Sequence, residues 1–496
     1  MKPTTEDRSA DLAGALACNG IDATTGEYLW PAVDIAQLAR VASGRTLESP
    51  ELADLQQRSR SALLAPYPVV DGVDPDDIAQ AGWACVFPAL TDDAAARARQ
   101  DAIREALSPL LSHRRAQATA AAGLYREYIG ELGYRRGETK QQYLARLGAG
   151  PGPVRPDNVP YYLLLVATPD EIPFRIQVQL DVQYAVGRIA FDTIDEYARY
   201  ARSVVDAETA RPRPRRAAFV GVANPGDAAT RLSADHLILP LVDHVERGRA
   251  RHGFTAAAHV GAAATRAQLV ELLRDPPALL FTASHGMGFP SGHAGQRDAQ
   301  GALLCQDWGG PGHRIAREDY FAGDDLPADA DLRGMIGFLF ACHGAGTPTR
   351  DEFTQRALGP ARAKELAPAP LVARLPQRML GHPGGGALAV VGHIDRAWGS
   401  AFVWHDPQRK ARAHRHLAAF ESMLDALLSG KRLGFAMEPF NVRYAELAAD
   451  LAERIDQIQL YGDPVDDAEL AQLWIMSNDA RNYAVIGDPA VRLSPA

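Results

Sequence analysis

Two periods of apolar patterning alternate along most of this chain. GWACVFPAL (82–90) is a short apolar run that reads as a buried strand, and TDDAAARARQDAIREALSPLL (91–111) reads as a helix capped at Thr91 or Asp92. Its apolar positions Ile103, Leu107, Leu110 and Leu111 follow helical spacing, and more helix is expected to about residue 147. A Gly/Pro-rich hinge, GAGPGPVRPDNVP, leads into YYLLLVA (161–167), a continuous apolar run of the kind covered on both faces. QYAVGRIAF is expected as a further strand and TIDEYARYARSVVDAE as an amphipathic helix. After ARPRPRR (210–216), AAFVGVA, FTAAAHVG, ALLFTAS (278–284), MIGFLFA (335–341) and GALAVVG (386–392) read as strands. A helix is expected from near Ser233, and TRAQLVELLRD is expected as another, with a Thr265/Gln268 capping box. The stretch 287–330 reads as long and irregular. Strands alternating with helices predict an α/β fold with a mostly parallel sheet flanked by helices.

These segments divide the chain into an N-terminal extension of unread role (1–78), a small α/β unit (79–212) and a larger α/β domain (213–496). The basic, proline-rich ARPRPRR reads either as the boundary or as a solvated loop within one domain. A chain of 496 residues with 47% hydrophobic and 23% charged residues has material for more than one core. The net charge of −9 gives no basic footprint for nucleic acid. Four cysteines without a CxxC pair suit a reducing compartment, and no run approaches the roughly 20 apolar residues of a spanning helix. The expectation is a cytoplasmic protein acting on neither nucleic acid nor membrane.

The chemistry concentrates at two strand ends. LLFTASHG delivers His285 and Gly286, and GFLFACHG delivers Cys342. Sites in open α/β sheets form beyond the carboxyl ends of strands, so two successive parallel strands would bring this pair to one rim. A thiolate is the nucleophile, and a neighbouring imidazole lowers the thiol pKa or carries the proton to the leaving amine. Gly286, lacking Cβ, lets a carbonyl approach its N–H, and that donor with the Cys342 N–H would form an oxyanion hole. Either residue alone also reads as an ordinary buried thiol or strand-end histidine; the joint pattern points to catalysis.

LLFTASHG followed by GFLFACHGAGTP resembles the His-Gly and Ala-Cys strand-end motifs of caspase-like cysteine peptidases, a group that includes caspases, gingipains, legumain, separase and CHAT domains. YYLLLVATPDEIPF and LDVQYAVGRIAFDTIDEYARYARSVVDAE resemble the small Rossmann-like subdomain that precedes the caspase-like subdomain of gingipains, and YAVIGDPAVRL resembles their terminal Gly-Asp-Pro strand. The resemblance spans about residues 160–496. It implies a Cys342–His285 dyad with Gly286 at the oxyanion, a peptide or protein substrate, and room for a regulatory protein partner. It also implies a basic residue preceding the cleaved bond, for which Asp307 and Asp227 are the candidate carboxylates; each also reads as an ordinary loop aspartate. Without a visible signal peptide, a role in bacterial signalling or defence is expected rather than secreted digestion. Rival readings are a non-proteolytic scaffold of the same fold and a cysteine-dependent hydrolase of small amides or esters.

Other constellations carry less. His285, His293, Cys305, His313, Cys342 and His343 match no familiar zinc spacing, so no metal is assigned. No cofactor is required, and calcium dependence is not legible. Cys305 reads as a packed thiol and His393 as a loop histidine able to reach the rim. GHPGGGALAVVG precedes a strand, whereas a phosphate loop follows one.

Overall fold

The computed structural model describes residues 19–29, 69–90, 93–209, 213–351, 365–405, 413–461, 464 and 467–493. The N-terminal strand β1 is Gly20–Asp22. Strands β2 (Trp83–Val86), β3 (Tyr125–Tyr128), β4 (Tyr162–Val166) and β5 (Ala185–Ile189) build one half of the main sheet. Next come β6 (Arg216–Gly221), β7 (Thr255–Val260), β8 (Leu279–Ala283), the short strands β9 (Gly286–Gly288), β10 (Leu303–Leu304) and β11 (Tyr320–Phe321), and β12 (Ile336–Phe340). Two small pairs, β13 (Gly346–Thr347) with β14 (Leu371–Val372) and β16 (Val403–His405) with β17 (Ala413–Arg415), flank β15 (Ala389–His393). The last strand is β18 (Tyr483–Gly487).

Ten strands form one mixed sheet in the order β3-β2-β4-β5-β18-β15-β12-β8-β6-β7. Every pairing in it is parallel except β15 with β18. The sheet is therefore two parallel halves running in opposite directions and joined by the C-terminal strand. The unit expected at 79–212 supplies β2 to β5, and the unit expected from 213 supplies the rest, so both share one sheet. Among residues expected as an extension, Gly20–Asp22 pairs parallel with β9 in a second, four-stranded sheet.

Apolar runs became strands because both faces are covered. β4, β5, β8, β12 and β15 are buried at every position. Phe219, Phe281 and Phe338 lie level on β6, β8 and β12, and the last two stack at 4.5 Å. Phe420 packs edge-on to both Phe281 and Phe440 from the helices beyond. Such aromatic contacts add about 0.5–1.5 kcal/mol each beyond their buried area.

Several local expectations need correction. Thr91 and Asp92 lie outside the described residues; Asp93 caps the helix Ala94–Ala106, accepting from Ala95 and Ala96 N–H. The helix expected to run to about 147 is interrupted by β3, whose YREY sequence is only half-buried at an edge. The helix placed near Ser233 begins at Ala228, with Asp227 as its N-cap. Thr265 caps Arg266–Arg274 by accepting the Gln268 N–H. The stretch 287–330 is not without structure: β9 to β11 join β1 over a small core of Ile21, Met287, Leu304 and Trp308. No helix among the described residues is long and apolar enough to cross a membrane.

The turn after β18 anchors this joining strand to the half built from β2 to β5. Asp488 accepts from Arg114 Nε at 2.6 Å and from Trp83 Nε1 at 3.0 Å. Arg114 also donates to both Glu208 oxygens. Burial alone would raise the Glu208 carboxyl, but Arg114 and His113 outweigh it and hold it well below the usual carboxylate range. Removing one partner of such a buried pair leaves an uncompensated charge. Asp488→Ala should therefore cost about 3–5 kcal/mol in urea unfolding, and a loss below about 1 kcal/mol would show that Arg114 is satisfied without it.

Candidate active site

The carboxyl ends of β6, β8 and β12 form the site. β6 pairs with β7 on one side and β8 on the other, so the chain reverses its winding there, and a crevice opens at such a switch point. Ala283 of β8 lies opposite Phe340 of β12. Two residues further along each strand stand His285 and Cys342, at the same level of the rim. Both side chains are fully buried. Gly286 is the point of contact: a Cβ there would stand 1.8 Å from Cys342 O and 2.9 Å from Cys342 N. Only glycine permits this approach of the two backbones.

His285 is held from behind by Asp227. The imidazole Nε2 bonds Asp227 Oδ2, while Asp227 Oδ1 accepts from the Tyr28 hydroxyl at 2.7 Å and from Ala229 N–H at 3.0 Å. Burial would raise this carboxyl, but His285, Tyr28 and Thr230 outweigh it and leave it lowered to about 2. An ionised carboxylate only accepts, so Nε2 carries a proton toward Asp227. Nδ1 has no hydrogen-bond partner among the described residues. Asp227 was expected beside a substrate side chain. Its carboxylate is instead committed to the imidazole and to the helix it caps. The sequence signal for that was NPGD before AATRL, a turn followed by an N-cap, directly after a strand.

Cys342 Sγ receives the Ala397 N–H at 3.3 Å and faces Ala397 O at 3.9 Å. The backbone N–H groups of Gly286 and Cys342 converge on one oxygen, the carbonyl of Asn19, at 2.9 and 3.0 Å. Asn19 N–H donates to Ala397 O at 2.8 Å. Residues 20–29 then fold back as a hairpin, with Ile21 bridged to Tyr28 and Leu29 N–H on Gly20 O. The Tyr28 ring meets the His285 ring edge-on at 5.6 Å. This hairpin, which patterning did not reveal, seals the rim.

The remaining candidates lie elsewhere. Asp307 is exposed and accepts the Arg266 N–H at 2.7 Å. Cys305 and Cys85 are buried, and burial pushes both thiols up. His393 is enclosed by Phe340 and Tyr483, with Asp479 3.6 Å from its Nε2. Among the described residues no group of three or more His, Cys, Asp or Glu side chains is placed to hold a metal ion. Gly384–Gly386 precede β15, and no helix opens from them.

No protein-family model matches the chain, and no curated protein matches it in sequence. Among solved structures it is similar to the Arg-specific cysteine proteinase gingipain R, at 14% identity and a TM-score of 0.46 over 86% of this chain and 80% of that one. It is also similar to the complex of the pro- and mature domains of RgpB of Porphyromonas gingivalis, at 12% identity and a TM-score of 0.44, covering 83% of this chain and 80% of that one. The separase of the Saccharomyces cerevisiae separase–securin complex matches at 10% identity and a TM-score of 0.31, over 66% of this chain but 15% of that one. Gingipains and separase are both among the families that the strand-end motifs resemble. At these scores the likeness assigns no role to any residue.

His343, next to the nucleophile candidate, is the one described non-glycine residue with positive φ, at 60°. Its imidazole is buried, and burial first, then Arg396, lowers its pKa to about 4. A histidine held neutral by the fold gives stability that is complete above its unfolded value, near 6.5, and is lost as pH falls toward 4. Urea midpoints measured from pH 7.5 to 4.5 should fall with pH, and His343→Asn should flatten that slope. An unchanged slope in the variant would assign it to other groups.

Proposed function

We propose that this chain is a cysteine endopeptidase that cuts peptide bonds through Cys342 and His285. One observation carries the reading: a peptide carbonyl, that of Asn19, accepts from both Gly286 N–H and Cys342 N–H beside the Cys342 sulfur. Two such donors pre-aimed at one oxygen are what an acyl transfer needs where negative charge develops. A small-molecule hydrolase would need the same donors, but an extended backbone seated as an edge strand beside β9 favours a peptide.

In this reading the Cys342 thiolate attacks the carbonyl carbon, and the two N–H groups hold the resulting oxyanion. His285 Nδ1 takes the thiol proton and delivers it to the leaving amine. Water then attacks the thioester, with the same nitrogen as base. Asp227 is a positioning residue: it fixes the tautomer through Nε2 and stabilises the imidazolium that forms. A basic preference has less support, since Asp227 and Asp307 are both engaged by the protein's own donors.

A peptide-library digest of the purified chain tests this. Cys342→Ala should abolish cleavage, and His285→Ala should lower it by on the order of 10²–10⁴-fold. Asp227→Asn should lower kcat at least about 10-fold with KM nearly unchanged, because it disturbs the tautomer and not the binding of substrate. Undiminished cleavage by Cys342→Ala would contradict the assignment.

A further inference from the structure

The segment in the crevice is the chain's own, and it lies there as a substrate would. Asn19 O sits on the two oxyanion donors, and Asn19 N–H is held by Ala397 O. Gly20 follows as the residue beyond the bond, paired with Gly286. A Cβ on Gly20 would stand 2.8 Å from Cys342 Sγ and 2.9 Å from its Cβ, so only glycine lets the Asn19–Gly20 bond lie against the sulfur. Beyond it, Ile21 is buried with Met287 and Trp308, and Tyr28 covers His285 and bonds Asp227. The Asn19 side chain is fully enclosed, with Nδ2 3.5 Å from Ser284 O.

We propose that the peptide bond Asn19–Gly20 is an intramolecular substrate of this site, cut by Cys342 to open it, and that the pocket holding Asn19 selects small neutral side chains. The inference rests on the peptidase reading above and names its first substrate. The Cys342 sulfur bonds the Asn19 carbonyl carbon and the C–N bond to Gly20 breaks. The proton carried by His285 goes to nitrogen, which becomes the Gly20 α-amine. Water then cleaves the thioester, giving an Asn19 carboxylate and restoring the thiol. The cut releases Gly20 from Asn19, and the hairpin 20–29 must then leave β9 and Asp227 before an added peptide can cross the sulfur. Asn19 leaves the two donors with its new carboxylate, freeing them for the carbonyl of another peptide. The one printed partner of the Asn19 side chain is a neutral carbonyl, Ser284 O, which suits a short uncharged donor.

Intact mass and N-terminal sequencing of the purified chain over time test this. The expected result is a new terminus at Gly20, at a rate independent of protein concentration and absent in Cys342→Ala and Cys342→Ser. Asn-Gly sequences also break spontaneously through a cyclic imide, so cleavage that persists in both cysteine variants would overturn the proposal. Gly20→Val should not seat its backbone against the sulfur. It should lose self-cleavage at least tenfold while cutting added peptides without the lag of the wild type. Added peptides with Asn, Ser or Ala before the bond should be cut at least tenfold faster than those with Lys or Arg; the reverse order overturns the pocket assignment. A chain that keeps Asn19–Gly20 intact yet cuts added peptides overturns self-cleavage and leaves the peptidase reading standing. A chain that cuts neither overturns both.

Discussion

The register between β8 and β12 is the constraint on which the site depends. Phe281 opposite Phe338 and Ala283 opposite Phe340 set two parallel strands level. His285 and Cys342 then leave the sheet at one height, and Gly286 N–H and Cys342 N–H point at one oxygen. A slip of one residue would turn each side chain to the opposite face and separate the pair. The stacked phenylalanines resist such a slip because each fills the space its neighbours leave. Gly286 is the second requirement, since the backbones meet there without room for a methyl group.

That geometry explains why the rim is covered. The Gly286 and Cys342 N–H groups, a thiol and a histidine–aspartate pair form a polar concavity between apolar strands. The N-terminal hairpin satisfies both donors with a carbonyl and places Ile21 in its own small core. Burying a side chain such as Ile21 contributes about 1.5–3 kcal/mol, enough to hold a short segment in place once the sheet has formed. The same contacts that close the site present one bond to the sulfur. Closure and self-cleavage are thus two consequences of a single docking mode.

Much of this was legible in the chain. ALLFTAS and MIGFLFA are long apolar runs ending in reactive residues, so the strands and the pair at their ends follow from local pattern. Short elements were not legible. GID at 20–22 is a strand only because Gly286–Gly288 offers it an edge, and YREY is a strand only because Trp83–Val86 does. Pairing of that kind is set by tertiary contact and leaves little trace in two to four residues. The role of Asp227 was half visible: its turn-and-helix context marks a cap, but which imidazole its second oxygen meets depends on β6 lying beside β8. The joining of two sheet halves through β18 was equally hidden, since a strand does not declare its neighbours.

The most direct measurement is the mapping of thiol alkylation. The chain, after prolonged incubation, is treated with a peptidyl acyloxymethyl ketone, and labelled cysteines are located by peptide mass. Cys85 and Cys305 are buried thiols whose pKa burial pushes up, so they should stay unreacted. The account predicts label on Cys342 and none on Cys85 or Cys305, with the Cys342 label slowed at least about tenfold by His285→Ala. Label spread over Cys85 or Cys305, or label on Cys342 indifferent to His285, would contradict it.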